Sequence, residues 1–220
     1  MMIKRNIKNN AAFSLLELLV ALVIISLLTT LSFFGLGSFS QARHLDAALW
    51  GVGGMIEQAH VTARARNLQV WVGLADVTKQ GVDGTAMVVF TDQSGLNPQS
   101  ISGSTSGLTP LSSVSFFRDA EIVMGATEPG EVNIGSMAGD WGEYQSQLDG
   151  KVVDFPFLFC ISPTGEVLTK DGVSPRTLIV SVALSRRPES EPVPVGVVRL
   201  GGLSGKLDVG IEVWDTAQTP

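Results

Sequence analysis

The chain has 220 residues, enough for one or at most two domains and one proper core. Charged residues are sparse at 16 %, apolar ones reach 45 % and glycine numbers 24, which excludes a disordered chain and fits a membrane-touching or β-rich one. Three of the 15 basic residues, Lys4, Arg5 and Lys8, precede the first apolar run; the 12 that follow face 21 acidic residues, and a remainder at −9 excludes nucleic acid as a partner.

The first element is the apolar run from Phe13 to Phe34, FSLLELLVALVIISLLTTLSFF, 22 residues with the single charge Glu17. A helix of about 20 residues rises about 30 Å, so this run is long enough to span a bilayer. A secretory signal has an apolar core of only about 7–15 residues and is cut at small residues on its far side. Here the small pair Ala11-Ala12 comes before the run, unlike an ordinary secretory signal. After Lys8 the next basic residue is Arg43, an asymmetry that puts the amino terminus in the cytoplasm and the body outside.

Helical periodicity continues beyond this span. Leu45, Leu49, Val52, Ile56, Ala59 and Ala63 recur at spacings of three and four, while Arg43, Asp46, Trp50, Glu57 and Arg64 point elsewhere. Gly51, Gly53 and Gly54 interrupt the stretch, each costing about 1 kcal/mol relative to Ala, so packing against a domain must hold it helical. Gly35 and Gly37 follow the apolar run, either as small residues at the membrane exit or as a place where the helix loosens.

After Asn67 the pattern turns to strands. QVWVGLA, TAMVVFT, SVSFF, AEIVMG, FLFCIS, EVLTK, RTLIVSVAL, VGVVRLG and LDVGIEV are β-branched or aromatic runs. Turn signals separate them, among them Asp83-Gly84, Thr164-Gly165, Asp171-Gly172 and Ser204-Gly205. Short strands at this density argue for an antiparallel sandwich or a pair of sheets, not βαβ units. Residues 93–113 are rich in Ser and Gly and read as a long, mobile surface loop.

Candidate catalytic and metal-binding residues are few. His44 and His60 are the only histidines, well apart along the helical stretch, too few for a histidine-based triad or a zinc site, and they read as surface residues. Asp83, Asp92, Asp140, Glu143, Asp149 and Asp154 have no metal-ligand spacing and read as solvated loop carboxylates. Cys160, the single cysteine, lies in FPFLFCISP and reads as a buried, inert thiol that gives no redox evidence. No nucleophile elbow, phosphate-binding loop or dinucleotide fingerprint occurs in the sequence; GVGG lies in a helical stretch rather than after a strand. The reading is a chain with no enzyme activity and no cofactor.

The stretch Ala12-Phe13-Ser14-Leu15-Leu16-Glu17-Leu18-Leu19-Val20 resembles the type IV prepilin processing motif. In that family a basic leader ends in Gly, less often Ala, followed by Phe, three mostly apolar residues, Glu and an apolar helix. The resemblance implies a cut by prepilin peptidase between Ala12 and Phe13, methylation of Phe13, and an assembly role for Glu17 at the fifth mature position. Ala12 in place of Gly departs from the family's usual pattern and puts efficient cleavage in question. MIEQAHVTARARNLQVWVGL and VVRLGGLSGKLDVG are similar to segments of FimT-like and pseudopilin H minor pilins, and similar pieces occur in Verru_Chthon cassette proteins. The processing motif covers about a tenth of the chain, and the rest matches in architecture.

The fold expected from the residues and the resemblance together is α+β, a pilin-like long amino-terminal helix packed on a small antiparallel β-sandwich. Its parts are a basic leader at 1–12, a transmembrane helix at 13–36, an amphipathic helix at 37–66, and a β-rich periplasmic or extracellular domain at 67–220. The function implied is that of a minor pilin or pseudopilin of a type IV pilus or type II secretion filament. Its partners would be prepilin peptidase, other pilin or pseudopilin subunits and inner-membrane lipid. The rival reading is an uncleaved signal anchor displaying a β-sandwich that recognises a carbohydrate or protein.

Overall fold

The computed structural model describes residues 15–92, 108–125, 127–137, 144–169, 174–185 and 193–214, of 31–42 and 92 the backbone alone. The leader 1–12, the Ala12–Phe13 junction, loop residues 93–107, Asp140, Glu143 and the Asp171-Gly172 turn lie outside the described residues, as does the Asp92 side chain.

A single long helix, α1 (Leu15–Arg66), opens the described chain. The chain forms two compact units, Met1–Ser40 and Gln41–Pro220, and the helix contributes to both. Its carboxyl end has a Schellman geometry. Asn67 takes a left-handed φ of 53°, and the Leu68 N–H donates back to the Ala63 carbonyl at 3.1 Å. Asn tolerates that conformation better than most residues, which is why the helix stops there.

In the second unit α1 buries Leu45, Ala48, Leu49, Val52, Ile56, Ala59 and Ala63, and leaves Arg43, Asp46, Trp50, Glu57 and Arg64 exposed. That is the periodicity of the sequence made into a core face. Each fully buried Leu, Ile or Val contributes about 1.5–3 kcal/mol, more than enough to offset three helical glycines.

Thirteen strands follow among the described residues. One sheet has the order β10 (Val167–Leu168), β9 (Phe157–Ile161), β1 (Val70–Lys79), β2 (Val82–Asp92), β3 (Leu108–Pro110), with β4 (Ser115–Arg118) also pairing β2. A second sheet runs β13 (Leu207–Trp214), β12 (Val193–Gly201), β11 (Thr177–Leu184), β5 (Ala120–Ile122), with β6 (Glu131–Asn133) beside β11. β7 (Tyr144–Leu148) and β8 (Lys151–Phe155) form a separate hairpin. All these pairings are antiparallel except β6 with β11.

Two expectations need correction. Asp83-Gly84 is not a turn but lies inside β2; the turn is Gln80-Gly81, both at positive φ (52° and 78°), as a two-residue hairpin loop requires. Gly84 instead lets β4 approach, since a Cβ there would lie 2.4 Å from the Phe117 carbonyl oxygen. The expected loop 93–113 also contains β3, which pairs with the end of β2.

The sheets are stitched to one another. The Val167 N–H donates to the Gly202 carbonyl at 2.7 Å, and the Thr85 hydroxyl donates to the Ala120 carbonyl at 3.1 Å. The β7–β8 hairpin adds an aromatic layer to the first sheet: Phe90 stacks on Tyr144 at 4.0 Å, with Trp71 and Phe155 flanking them. Beside β11, buried Asn133 donates to buried Ser181 at 3.1 Å, which leaves neither polar group orphaned.

Candidate functional site

The amino-terminal part of α1 carries the motif residues that are described. Glu17 sits in the first turn, where the helix dipole favours a carboxylate, and is exposed. Leu15, Leu16, Leu18, Leu19, Leu22 and Ile25 are all exposed too, so this segment presents apolar side chains in place of a core. Its described hydroxyls are satisfied within the helix. Ser26, Thr29 and Thr30 each donate to the carbonyl four residues earlier, at 2.8, 2.7 and 2.8 Å. Hydroxyls bonded in this way can enter hydrocarbon without an unmet hydrogen bond. Among the described residues no helix is long and apolar enough to cross a membrane; the side chains described in the apolar run are those of 15–30, while the expected span is 13–36.

In the second unit the helix meets both sheets through missing side chains. A Cβ at Gly51 would lie 2.3 Å from Phe117 Cε1 in β4, and one at Gly53 would lie 3.2 Å from Val209 Cγ2 in β13. From the other side, a Cβ on Gly196 in β12 would lie 3.1 Å from Leu49 Cδ1. Gly54 meets nothing within 4 Å. Sequence reasoning flagged the three helical glycines as a cost and missed that two of them are contact points.

His60 is not a simple surface residue. Half-buried, its Nε2 lies 3.1 Å from the Gly165 carbonyl oxygen, in a notch between two turns built on Gly165 (φ 89°) and Gly205 (φ 62°). A Cβ on either glycine would run into the imidazole. His44 Nδ1 lies 3.7 Å from Asp119 Oδ2, which also pairs with Arg118. The two histidines therefore tie the helix to turns of the β unit, and the structure does not bring them together.

The carboxylates are dispersed. Asp83 accepts from Thr78, Asp149 pairs with Lys79 at 2.8 Å, and Asp154 accepts from Gln145. Cys160 is buried in β9. Among the described residues no three His, Cys, Asp or Glu side chains are placed to hold a metal ion. Asp76, absent from the sequence-based candidates, lines an open cleft of about 270 Å³ with Asp83, Glu121 and Ser185. The sequence signal was there: it is the acidic residue inside β1. Asp76 is exposed at its edge, yet desolvation of the carboxyl in the cleft pushes its pKa up, against hydrogen bonds from the Ile122 N–H and Thr85 hydroxyl that lower it. Glu212 behaves in the opposite way. Desolvation raises its pKa, but hydrogen bonds from Arg199 and Trp214 and the Arg199 charge outweigh it and hold it below the usual range.

Against this geometry, residues 7–33 match the model of the prokaryotic N-terminal methylation motif. The solved type IV minor pilin FimU of Pseudomonas aeruginosa (strain PAO1) aligns with 83 % of this chain and 96 % of its own, at 11 % identity and a TM-score of 0.42. No curated protein matches the chain in sequence. The chain thus combines a prokaryotic N-terminal methylation motif at residues 7–33 with, among the described residues, an α+β fold of one long helix and largely antiparallel sheets.

Proposed function

We propose that the chain is a structural subunit, a minor pilin or pseudopilin, of a type IV pilus or type II secretion filament, and that it has no catalytic role. The observation that carries this reading is the methylation motif at residues 7–33, whose described part from Leu15 onward lies on a helix that exposes apolar side chains from Leu15 to Ile25 around Glu17. Prepilin peptidase cuts between Ala12 and Phe13, Phe13 becomes the methylated first residue, and 13–36 holds the subunit in the inner membrane with its amino terminus in the cytoplasm. The amphipathic helix 37–66 and the β-rich domain 67–220 then lie outside.

Glu17 acts in assembly. Burying a carboxylate in a membrane costs about 2.5–3.5 kcal/mol at a helix centre, which a nearby cation offsets. Cleavage removes Lys4, Arg5 and Lys8 and creates an α-amine at Phe13. In a stack of subunits Glu17 of one helix meets the Phe13 amine of its neighbour, which fixes their axial register.

Intact-mass analysis of the protein from its native membrane tests the reading. The expected species lacks residues 1–12 and carries one methyl group. A species that keeps them would point to the uncleaved signal anchor instead.

A further inference from the structure

β5 ends its sheet: it pairs with β11 on one side, and among the described residues no strand pairs with the other. The Val123 N–H donates to the Ser181 carbonyl and the Ser185 N–H to the Asp119 carbonyl, so residues 119 and 123 turn their backbone groups toward β11. Antiparallel pairing alternates, which turns the backbone groups of Ala120 and Ile122 outward. Two side chains of the first sheet meet them there. The Thr85 hydroxyl on β2 reaches the Ala120 carbonyl at 3.1 Å, and the Ile122 N–H donates to Asp76 Oδ1 on β1 at 3.0 Å. Asp76 and Thr85 stand opposite each other in the β1–β2 register.

The protons at this junction do not suffice for all its acceptors. The Thr85 hydroxyl, fully buried, also lies 3.0 Å from Asp76 Oδ1. A hydroxyl has one proton to give. With Asp76 ionised, the carboxylate and the Ala120 carbonyl compete for it, and the charged acceptor wins. The Ala120 carbonyl then loses this bond between the sheets. With Asp76 protonated, its own O–H donates to Thr85 Oγ1, which frees the Thr85 proton for Ala120. The surroundings favour that proton. Asp83 and Glu121 line the same cleft as further carboxylates, and desolvation pushes the Asp76 pKa up. Among the described residues on the adjoining elements, Arg118 pairs with Asp119, on which His44 also lies at 3.7 Å, and Lys79 pairs with Asp149.

We propose that Asp76, Thr85 and Ala120 form a proton-operated latch between the two sheets, closed when Asp76 is protonated and loosened when it ionises. The folded pKa of Asp76 is raised, so the latch is fully closed below the ordinary value of 3.8 and opens as pH rises through the folded value. It works in the same way whether the chain enters a pilus or a secretion filament.

The test is hydrogen exchange read by mass spectrometry over residues 119–123, on full-length protein in a non-ionic detergent. Wild type and Asp76→Asn are compared at matched pH, so that intrinsic exchange cancels. Asp76→Asn has no charge to draw the Thr85 proton away and should stay closed throughout. The two should converge toward about pH 4 and diverge toward about pH 7. At the upper end wild type should exchange about two- to tenfold faster, the worth of one hydrogen bond. Thr85→Val should exchange fast at every pH, and Thr85→Ser, which keeps the hydroxyl, should keep the wild-type pH dependence. Asp83→Asn and His44→Gln leave the three latch groups in place and should keep it too. Equal exchange of wild type and Asp76→Asn at every pH, a pH dependence that survives in Thr85→Val, or one that disappears in His44→Gln would each overturn the proposal.

Discussion

Gly51, Gly53 and Gly54 sit within four consecutive helix positions, so intrinsic propensity predicts the same gain of about 1 kcal/mol for each Gly→Ala change. The packing predicts three different outcomes. At Gly54 the new methyl meets nothing within 4 Å, so the full gain should appear. In a unit of this size that is a rise of about 2–4 °C in Tm. At Gly53 the methyl would lie 3.2 Å from Val209 Cγ2, tight enough to cancel much of the gain. At Gly51 it would lie 2.3 Å from the Phe117 ring, which must move. Overpacking of that kind costs about 1–3 kcal/mol, so the net change should be a loss of up to about 2 kcal/mol. The assay is thermal unfolding of the full-length variants in detergent, followed by tryptophan fluorescence, since Trp71 is fully buried in β1. Adding Phe117→Leu to Gly51→Ala should recover part of the loss as a coupling of about 1 kcal/mol. If all three alanines raise Tm equally, the helix does not pack on β4 and β13 as described.

Further outcomes follow from the same contacts. Gly202→Ala should prevent folding of the β unit, seen as loss of the cooperative melt, because its Cβ would fall 1.6 Å from the Pro175 carbonyl oxygen, which is backbone and cannot swing away. Glu212 has a lowered folded pKa, so its contribution is present above its ordinary value of 4.5 and is lost as pH falls through the folded value. Glu212→Gln should flatten that acid limb. Asp76 has a raised folded pKa, so its contribution is present below 3.8 and is lost as pH rises through the folded value. Asp76→Asn should remove that loss, and the two variants' pH–Tm curves should depart from wild type in opposite directions. A fragment beginning at Arg43 should be soluble, monomeric and β-rich by circular dichroism, with one cooperative transition; aggregation or a helix-dominated spectrum would count against the architecture.

The helix face was legible because burial there follows a simple period. Leu45 through Ala63 recur at spacings of three and four, and the exposed set Arg43, Asp46, Trp50, Glu57 and Arg64 falls between them. Nine strands were legible for a similar reason, being dense in β-branched and aromatic residues. β7, YQSQL, was not, because only Tyr144 and Leu148 at its ends are buried and the middle is polar. β3 and β6 have three residues each, too short for a period to register, and β6 joins β11 in a parallel pairing that no local turn announces. The true β1–β2 turn was hidden by Asp83-Gly84, a stronger turn signal three residues downstream that serves instead to admit Phe117. The candidate assembly site was legible as a motif, since Glu17 interrupts an otherwise apolar run. The notch around His60 was not, because it is made by Gly165 and Gly205 from turns about 100 and 145 residues away in sequence, and only folding brings them together.

The central claim is that Glu17 recruits this subunit into a filament through the Phe13 amine of a neighbour. The direct measurement compares processed protein in the membrane with protein recovered in sheared filaments, for wild type, Glu17→Ala and Glu17→Asp. The account predicts that Glu17→Ala is inserted, cut and folded like wild type but reduced in the sheared fraction, with Glu17→Asp less affected. Equal incorporation of Glu17→Ala and wild type would contradict it.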